Sequence, residues 1–199
     1  MKKHMGMFLL AMLVVAALLV STVTYQLEFT EYGLIKRFGK TVSDFDGSTD
    51  AGLKFKWPWP VERLVKYDAR TNVLEETLEE LETRDRNNVL VTLYCAWKIA
   101  DPVKFHAKTE RFDKAEKQLR TLLRSEKKVI GMYNMQDLIN TNPKAMRIPE
   151  IERDIYQRVQ ERAREDYGIQ IVRVGIKSLG LPEFVSEQVI TNMKGEFRP

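Results

Sequence analysis

Between Met5 and Leu27 the chain carries 23 consecutive uncharged residues, and Phe8 to Val20 is almost entirely Leu, Val, Ala and Met. As a helix, such a run reaches about 35 Å at ~1.5 Å per residue, enough to cross a hydrocarbon core of ~30 Å. The expectation is an N-terminal transmembrane helix, with the rest of the chain built beside a bilayer. A cleavable signal peptide shares the basic start Met1-Lys2-Lys3, but it needs a shorter apolar region and a small-x-small cleavage site. No Ala-x-Ala occurs, and the adjacent Ala16 and Ala17 lie in the middle of the run. The segment is therefore read as a retained anchor. Thr24, Tyr25 and Gln26 form a polar-aromatic exit of the kind found at a membrane surface.

Glu28 to Pro199 leaves 172 residues, enough for one ordinary domain or two small ones. Lys2 and Lys3 supply half of the net charge of +4, so this remainder is nearly neutral, with 30 basic and 28 acidic residues. That excludes the single-sign field a nucleic-acid binder needs. Lys36, Arg37 and Lys40 follow the anchor closely and offset Lys2 and Lys3, so charge alone favours a cytoplasmic N-terminus only slightly.

Short strands punctuate the chain as far as Lys66. Tyr32 to Lys40 reads as a hairpin between glycines, and Ser43 to Gly52 as a polar loop. From Leu53 the pattern alternates strictly: Leu53, Phe55, Trp57 and Trp59 on one side, Lys54, Lys56, Pro58 and Pro60 on the other. The prolines cannot donate to a ladder, so this strand must end as an edge or a loop. Val61 to Arg70 reads as a returning strand, and Thr71 to Asp85 as an acidic, solvated surface. After a turn at Arg84 to Asn88, the clearest strand sets Val89, Val91, Leu93, Cys95, Trp97 and Ile99 on one face. Asp101-Pro102 ends it.

The period then changes. Asp113 to Ile130 predicts an amphipathic helix with Ala115, Leu119, Leu122, Leu123, Val129 and Ile130 on its apolar side. Lys117, Arg120, Arg124 and Lys127 fall elsewhere. Glu126 interrupts the apolar stripe, and an ion pair with an arginine of a neighbouring element is expected for it. Asn142-Pro143 breaks the chain. A second helix is expected from Pro149, striped by Ile151, Ile155, Val159 and Ala163 and stopped at Gly168. Ile169 to Ile176 is a β-branched strand, and Pro182 opens a last helix carrying Val185, Val189 and Met193. The order gives an α+β fold in two subdomains, strand-rich over 28–103 and mixed helix and strand over 104–181, after the anchor at 1–27 and before a C-terminal helix at 182–199.

Catalytic signatures are missing. His4 and His106 are the two histidines, and neither has a metal-ligand spacing to another His or Cys. The lone Cys95 sits mid-strand on the apolar face, as a small buried thiol would. No nucleophile elbow, phosphate loop or dinucleotide fingerprint occurs. The expectation is a protein that is not an enzyme, with no cofactor, no metal, no small-molecule substrate and no nucleic acid. Leu53 to Pro60 carries more information: Phe55, Trp57 and Trp59 with Lys54 and Lys56 suit a membrane-interface loop, rings at headgroup depth and lysines on phosphate. Core packing competes with that reading for Phe55 and Trp57, whereas the flanking prolines favour the surface for Trp59.

Glu31-Tyr32-Gly33 through Arg37-Phe38-Gly39-Lys40, Ala51-Gly52-Leu53-Lys54-Phe55-Lys56-Trp57-Pro58 and Tyr67-Asp68-Ala69-Arg70 resemble the opening of an SPFH (band 7, prohibitin and stomatin) domain. Gly168 through Pro182, with Val185-Ser186-Glu187, resembles the HflC protease-modulator branch. The resemblance implies a single-pass scaffold of the bacterial inner membrane, its N-terminus cytoplasmic and its bulk periplasmic. It implies an HflK-like partner, a homo- or hetero-oligomeric ring or cage, and modulation of an FtsH-like membrane AAA protease. Lys117, Arg120, Arg124 and Glu126 are the expected oligomer contacts. Family members continue past the position of Met193 into a long charged helix that builds the cage wall, so a chain ending at Pro199 is expected to be a truncated form or a shortened homologue. The runner-up is a stomatin-type regulator of channels or lipid organisation on the cytoplasmic side.

Overall fold

The structure is a computed structural model that describes residues 10, 12–14, 21, 23–140, 142 and 145–182. Most of the expected anchor, Pro143, and the expected C-terminal helix after Pro182 lie outside the described residues. Leu10, Met12, Leu13 and Val14 are helical, but among the described residues no helix is long and apolar enough to cross a membrane. Two compact units are present: Met1–Arg70 with Asp101–Val103, and Thr71–Ala100 with Lys104–Pro199.

In the first unit, β1 (Thr24–Leu27) pairs antiparallel with β4 (Gly52–Phe55), Thr24 opposite Phe55. A second sheet has the order β3-β2-β5, from β2 (Glu31–Arg37), β3 (Lys40–Asp46) and β5 (Glu62–Asp68). Tyr25 and Leu27 of β1 and Ile35 of β2 form a core cluster between the strands of the two sheets, with Phe45 and Leu64 packed against them. The expected loop over Ser43 to Gly52 is corrected: its first part continues β3, because Phe45 packs on that core opposite Gly33. Its second part is a single helical turn, α1 (Gly47–Asp50), capped by Asp46, whose carboxylate accepts the Ser48 amide at 2.8 Å. The alternating stretch stays a strand only to Phe55, as its prolines require.

The second unit is built on β8 (Asn88–Ile99). One edge of β8 pairs with β6 (Asn72–Glu75) and β7 (Glu79–Glu82), the other with β9 (Ile169–Gly180), all antiparallel. Val89, Val91, Leu93, Cys95, Trp97 and Ile99 are all buried, as the period-two pattern requires. Chain order then gives α2 (Pro102–Lys108), α3 (Phe112–Glu126), a 3₁₀ segment (Lys127–Met132), α4 (Met135–Leu138) and α5 (Ile148–Tyr167). The predicted single helix to Ile130 is thus α3 plus a tighter 3₁₀ run, a change of pitch that still buries Val129 and Ile130. Phe112 stacks obliquely on Trp97 and Phe105, with ring centroids 5.7 and 5.6 Å apart. Gly168 stops α5 at φ +68°, the left-handed space an L side chain avoids. Ile151, Ile155, Val159 and Ala163 form its buried stripe. The arrangement is α+β.

Two charged residues depart from expectation. Glu76, in the supposedly solvated acidic stretch, and Lys127, on the supposedly polar side of the helix, are both buried and form an ion pair. Lys127 lies one α-helical turn after buried Leu123, to whose carbonyl its amide donates, and there Glu76 and, at 3.4 Å, Glu79 meet it.

Candidate functional site

Register gathers several loops at one end of the β3-β2-β5 sheet. Arg37 stands opposite Lys40 on one side and Glu62 on the other. The Phe38-Gly39 turn and the segment Lys56 to Val61 that feeds β5 therefore lie at the same end. The Lys56 amide donates to the Val23 carbonyl at 2.8 Å, which brings the end of the uncharged N-terminal run alongside.

Glu62 is the staple of this end. Its Oε1 accepts from Arg37 Nη2 at 2.7 Å and Nε at 3.1 Å, and its Oε2 accepts the Trp57 amide at 2.8 Å. The carboxyl is almost fully covered. The Trp57 amide first, and the Arg37 guanidinium with it, outweigh burial and hold its pKa below the ordinary 4.5. A segment without regular secondary structure is thereby fixed to the sheet by a charge-assisted pair.

Around the staple lies an apolar groove of about 660 Å³, lined among others by Val23, Ile35, Val42, Phe45, Phe55 and Trp57. Phe55, Trp57 and Trp59 are 72%, 62% and 72% exposed, so the structure keeps all three rings out of the core. Lys54 is half-buried, pairing with Asp50 at 3.1 Å and lying over the Phe45 ring, and Lys56 is half-buried beside Glu62. The sequence reading missed Phe38, which is 80% exposed on a backbone at φ +48°. A Phe-Gly pair between Arg37 and Lys40, at the tip of an expected hairpin, was the available signal.

The expected oligomer contacts all belong to the second unit. Lys117 is exposed. Arg120 donates to the Glu75 carbonyl at 2.9 Å, and Arg124 pairs with Glu79 at 2.8 Å and Glu76 at 3.3 Å. Glu126 pairs with Arg162 of α5 at 3.1 Å and faces Arg158 at 3.9 Å, the neighbouring-arginine arrangement its place in the stripe calls for. Three of the four thus bond within the chain. Cys95 is fully buried, and burial pushes its thiol up to about 12, far from a nucleophile's range. No group of three or more potential metal ligands occurs among the described residues.

Residues 25–197 match the model of the SPFH domain / Band 7 family. The chain belongs to this family. Its relatives include Protein HflC of Haemophilus influenzae, 29% identical over 96% of this chain and 66% of the relative. The Modulator of FtsH protease HflC of Escherichia coli is 23% identical over 83% of this chain and 61% of its own length. The stomatin homolog PYRAB06580 of Pyrococcus abyssi is 31% identical over 76% of this chain and 52% of its own. The chain thus spans about half to two thirds of the length of these relatives.

Proposed function

We propose that this SPFH chain is a membrane-anchored, non-catalytic scaffold subunit of HflC type. Met5 to Leu27 crosses the bacterial inner membrane once, with the N-terminus cytoplasmic and the bulk of the chain periplasmic. Residues 28–103 and 104–181 act as the two SPFH subdomains, and residues 182–199 begin a C-terminal helix. The scaffold assembles with an HflK-like partner in a ring or cage and modulates an FtsH-like AAA protease. Lys117, Arg120, Arg124 and Glu126 lie along the contact with neighbouring copies. The observation that carries the membrane part is the seam between Val23 and Lys56, which brings the end of the uncharged run beside exposed Phe55, Trp57 and Trp59. The name of the Escherichia coli relative supports the protease part. Purification of the full chain from gently solubilised native membranes, with mass identification of what accompanies it, tests the reading. An SPFH partner and a membrane AAA protease are expected, and their absence from a cross-linked preparation overturns it.

A stomatin-type regulator on the cytoplasmic side is the second reading, favoured by archaeal stomatin homologues at 29% and 31% identity. Labelling a cysteine placed at exposed Ser48 in intact cells separates the two: periplasmic access fits the first, protection the second.

A further inference from the structure

Cations cluster at one end of the β3-β2-β5 sheet. At the end of the Phe38-Gly39 turn, Lys36 stands opposite Arg63, and Arg37 opposite Lys40 and Glu62. Lys56 lies beside them in the wall of the same groove. Among these residues Glu62 is the acid; Arg37 pairs with it and Lys56 faces it, so the set carries more cations than acids. At the far end Glu31 stands opposite Asp68, and Tyr32 opposite Asp46. Cations thus outnumber acids where the aromatic rings are exposed, whereas at the other end Glu31 and Asp68 are matched by Lys66 and Arg70.

Phe38 belongs to the cationic end and sits there at a cost. Both turn residues have positive φ, +48° at Phe38 and +87° at Gly39, in a two-residue hairpin where Asn-Gly is the favoured pair. A large ring, held outward on a backbone that disfavours it, marks a site where something other than fold stability selects the residue.

We propose that this end of the first unit seats on an anionic bilayer surface, with Phe38 entering the headgroup layer as a second wedge beside Trp57 and Trp59. The inference rests on the membrane reading above and extends it to a new residue and a lipid class. Aromatic rings settle at headgroup depth, and each lysine or arginine near an anionic surface shifts docking roughly fivefold. Two wedges at separate loops fix the tilt of the unit, which a single loop leaves free to pivot.

The test uses the full chain, with Cys95→Ala, reconstituted into vesicles of phosphatidylcholine with phosphatidylglycerol. A nitrobenzoxadiazole probe is placed in turn on Phe38→Cys, Trp59→Cys and, as a control in α1, Ser48→Cys. Bilayer-embedded nitroxide lipid is expected to quench the probes at 38 and 59 and spare that at 48. Quenching at 59 but not at 38 overturns this proposal and leaves the membrane reading standing; quenching at neither overturns both. A blue shift at 38 that nitroxide lipid leaves unquenched assigns the turn to a protein neighbour and also overturns it. Omitting phosphatidylglycerol, or combining Lys36→Gln with Lys40→Gln, is expected to reduce quenching at 38, and equal quenching overturns the anionic preference.

Discussion

Phe38 occupies backbone space that costs an L side chain roughly 1–2 kcal/mol, while Asn tolerates it. Phe38→Asn is therefore expected to raise stability by about 1 kcal/mol, read as a higher melting temperature, while removing the ring from the surface. Lys127 tells the opposite story. Its ammonium is fully buried against Glu76, so Lys127→Ala leaves that buried carboxylate with Arg124 alone and should cost about 1–3 kcal/mol in denaturant titration. Neither residue was legible as such: Lys127 falls outside the apolar positions of the stripe, and the carboxylates that hold it, Glu76 and Glu79, lie far away in sequence. Glu126 was legible, because a carboxylate inside an apolar stripe demands a cation, and Arg162 supplies it. For Glu62 the sign of the pH effect follows from its depressed pKa. The folded form holds fewer protons than the unfolded one, so its stabilisation is present above the ordinary value of 4.5 and is lost as pH falls through the folded pKa. Glu62→Gln is expected to flatten that acid limb of the stability curve, and an unchanged limb would show that other carboxylates set it.

At the scale of elements, β9 carries two irregularities in its pairing with β8, and α5 attends to both. The Ile171 amide donates to Gln160 Oε1 at 2.6 Å, and the Ile176 amide to Glu152 Oε1 at 2.9 Å. These side chains satisfy strand amides that would otherwise be left unpaired. Gln160→Ala and Glu152→Ala should each cost about 1–2 kcal/mol and speed amide exchange at the bonded position, with little change at the partner position. The strand β8, the stripe of α5 and the stop at Gly168 were all readable, since periodicity and capping are local. The pairing of β8 with β9 was not, because the strands lie some seventy residues apart in sequence and no local signal encodes a cross-strand partner. The Ser43 to Gly52 stretch misled for the same reason. Its polar composition says loop, but Phe45 is placed on the core by the hairpin to which it belongs.

For the molecule as a whole, the sequence carried the α+β class and, by resemblance, the family that the match over residues 25–197 establishes. Of the candidate surface it disclosed Phe55, Trp57 and Trp59 but not the cationic cluster around the Phe38-Gly39 turn, which exists only once the sheet register is known. In the proposed reading, the uncharged N-terminal run and the aromatic, cationic sheet end share one lipid surface. Fractionation of cells expressing the full chain tests this most directly, with membranes washed successively in high salt and alkaline carbonate before detergent. The account predicts that the intact polypeptide stays in the pellet through both washes and leaves only with detergent; release into the salt or carbonate supernatant would contradict it.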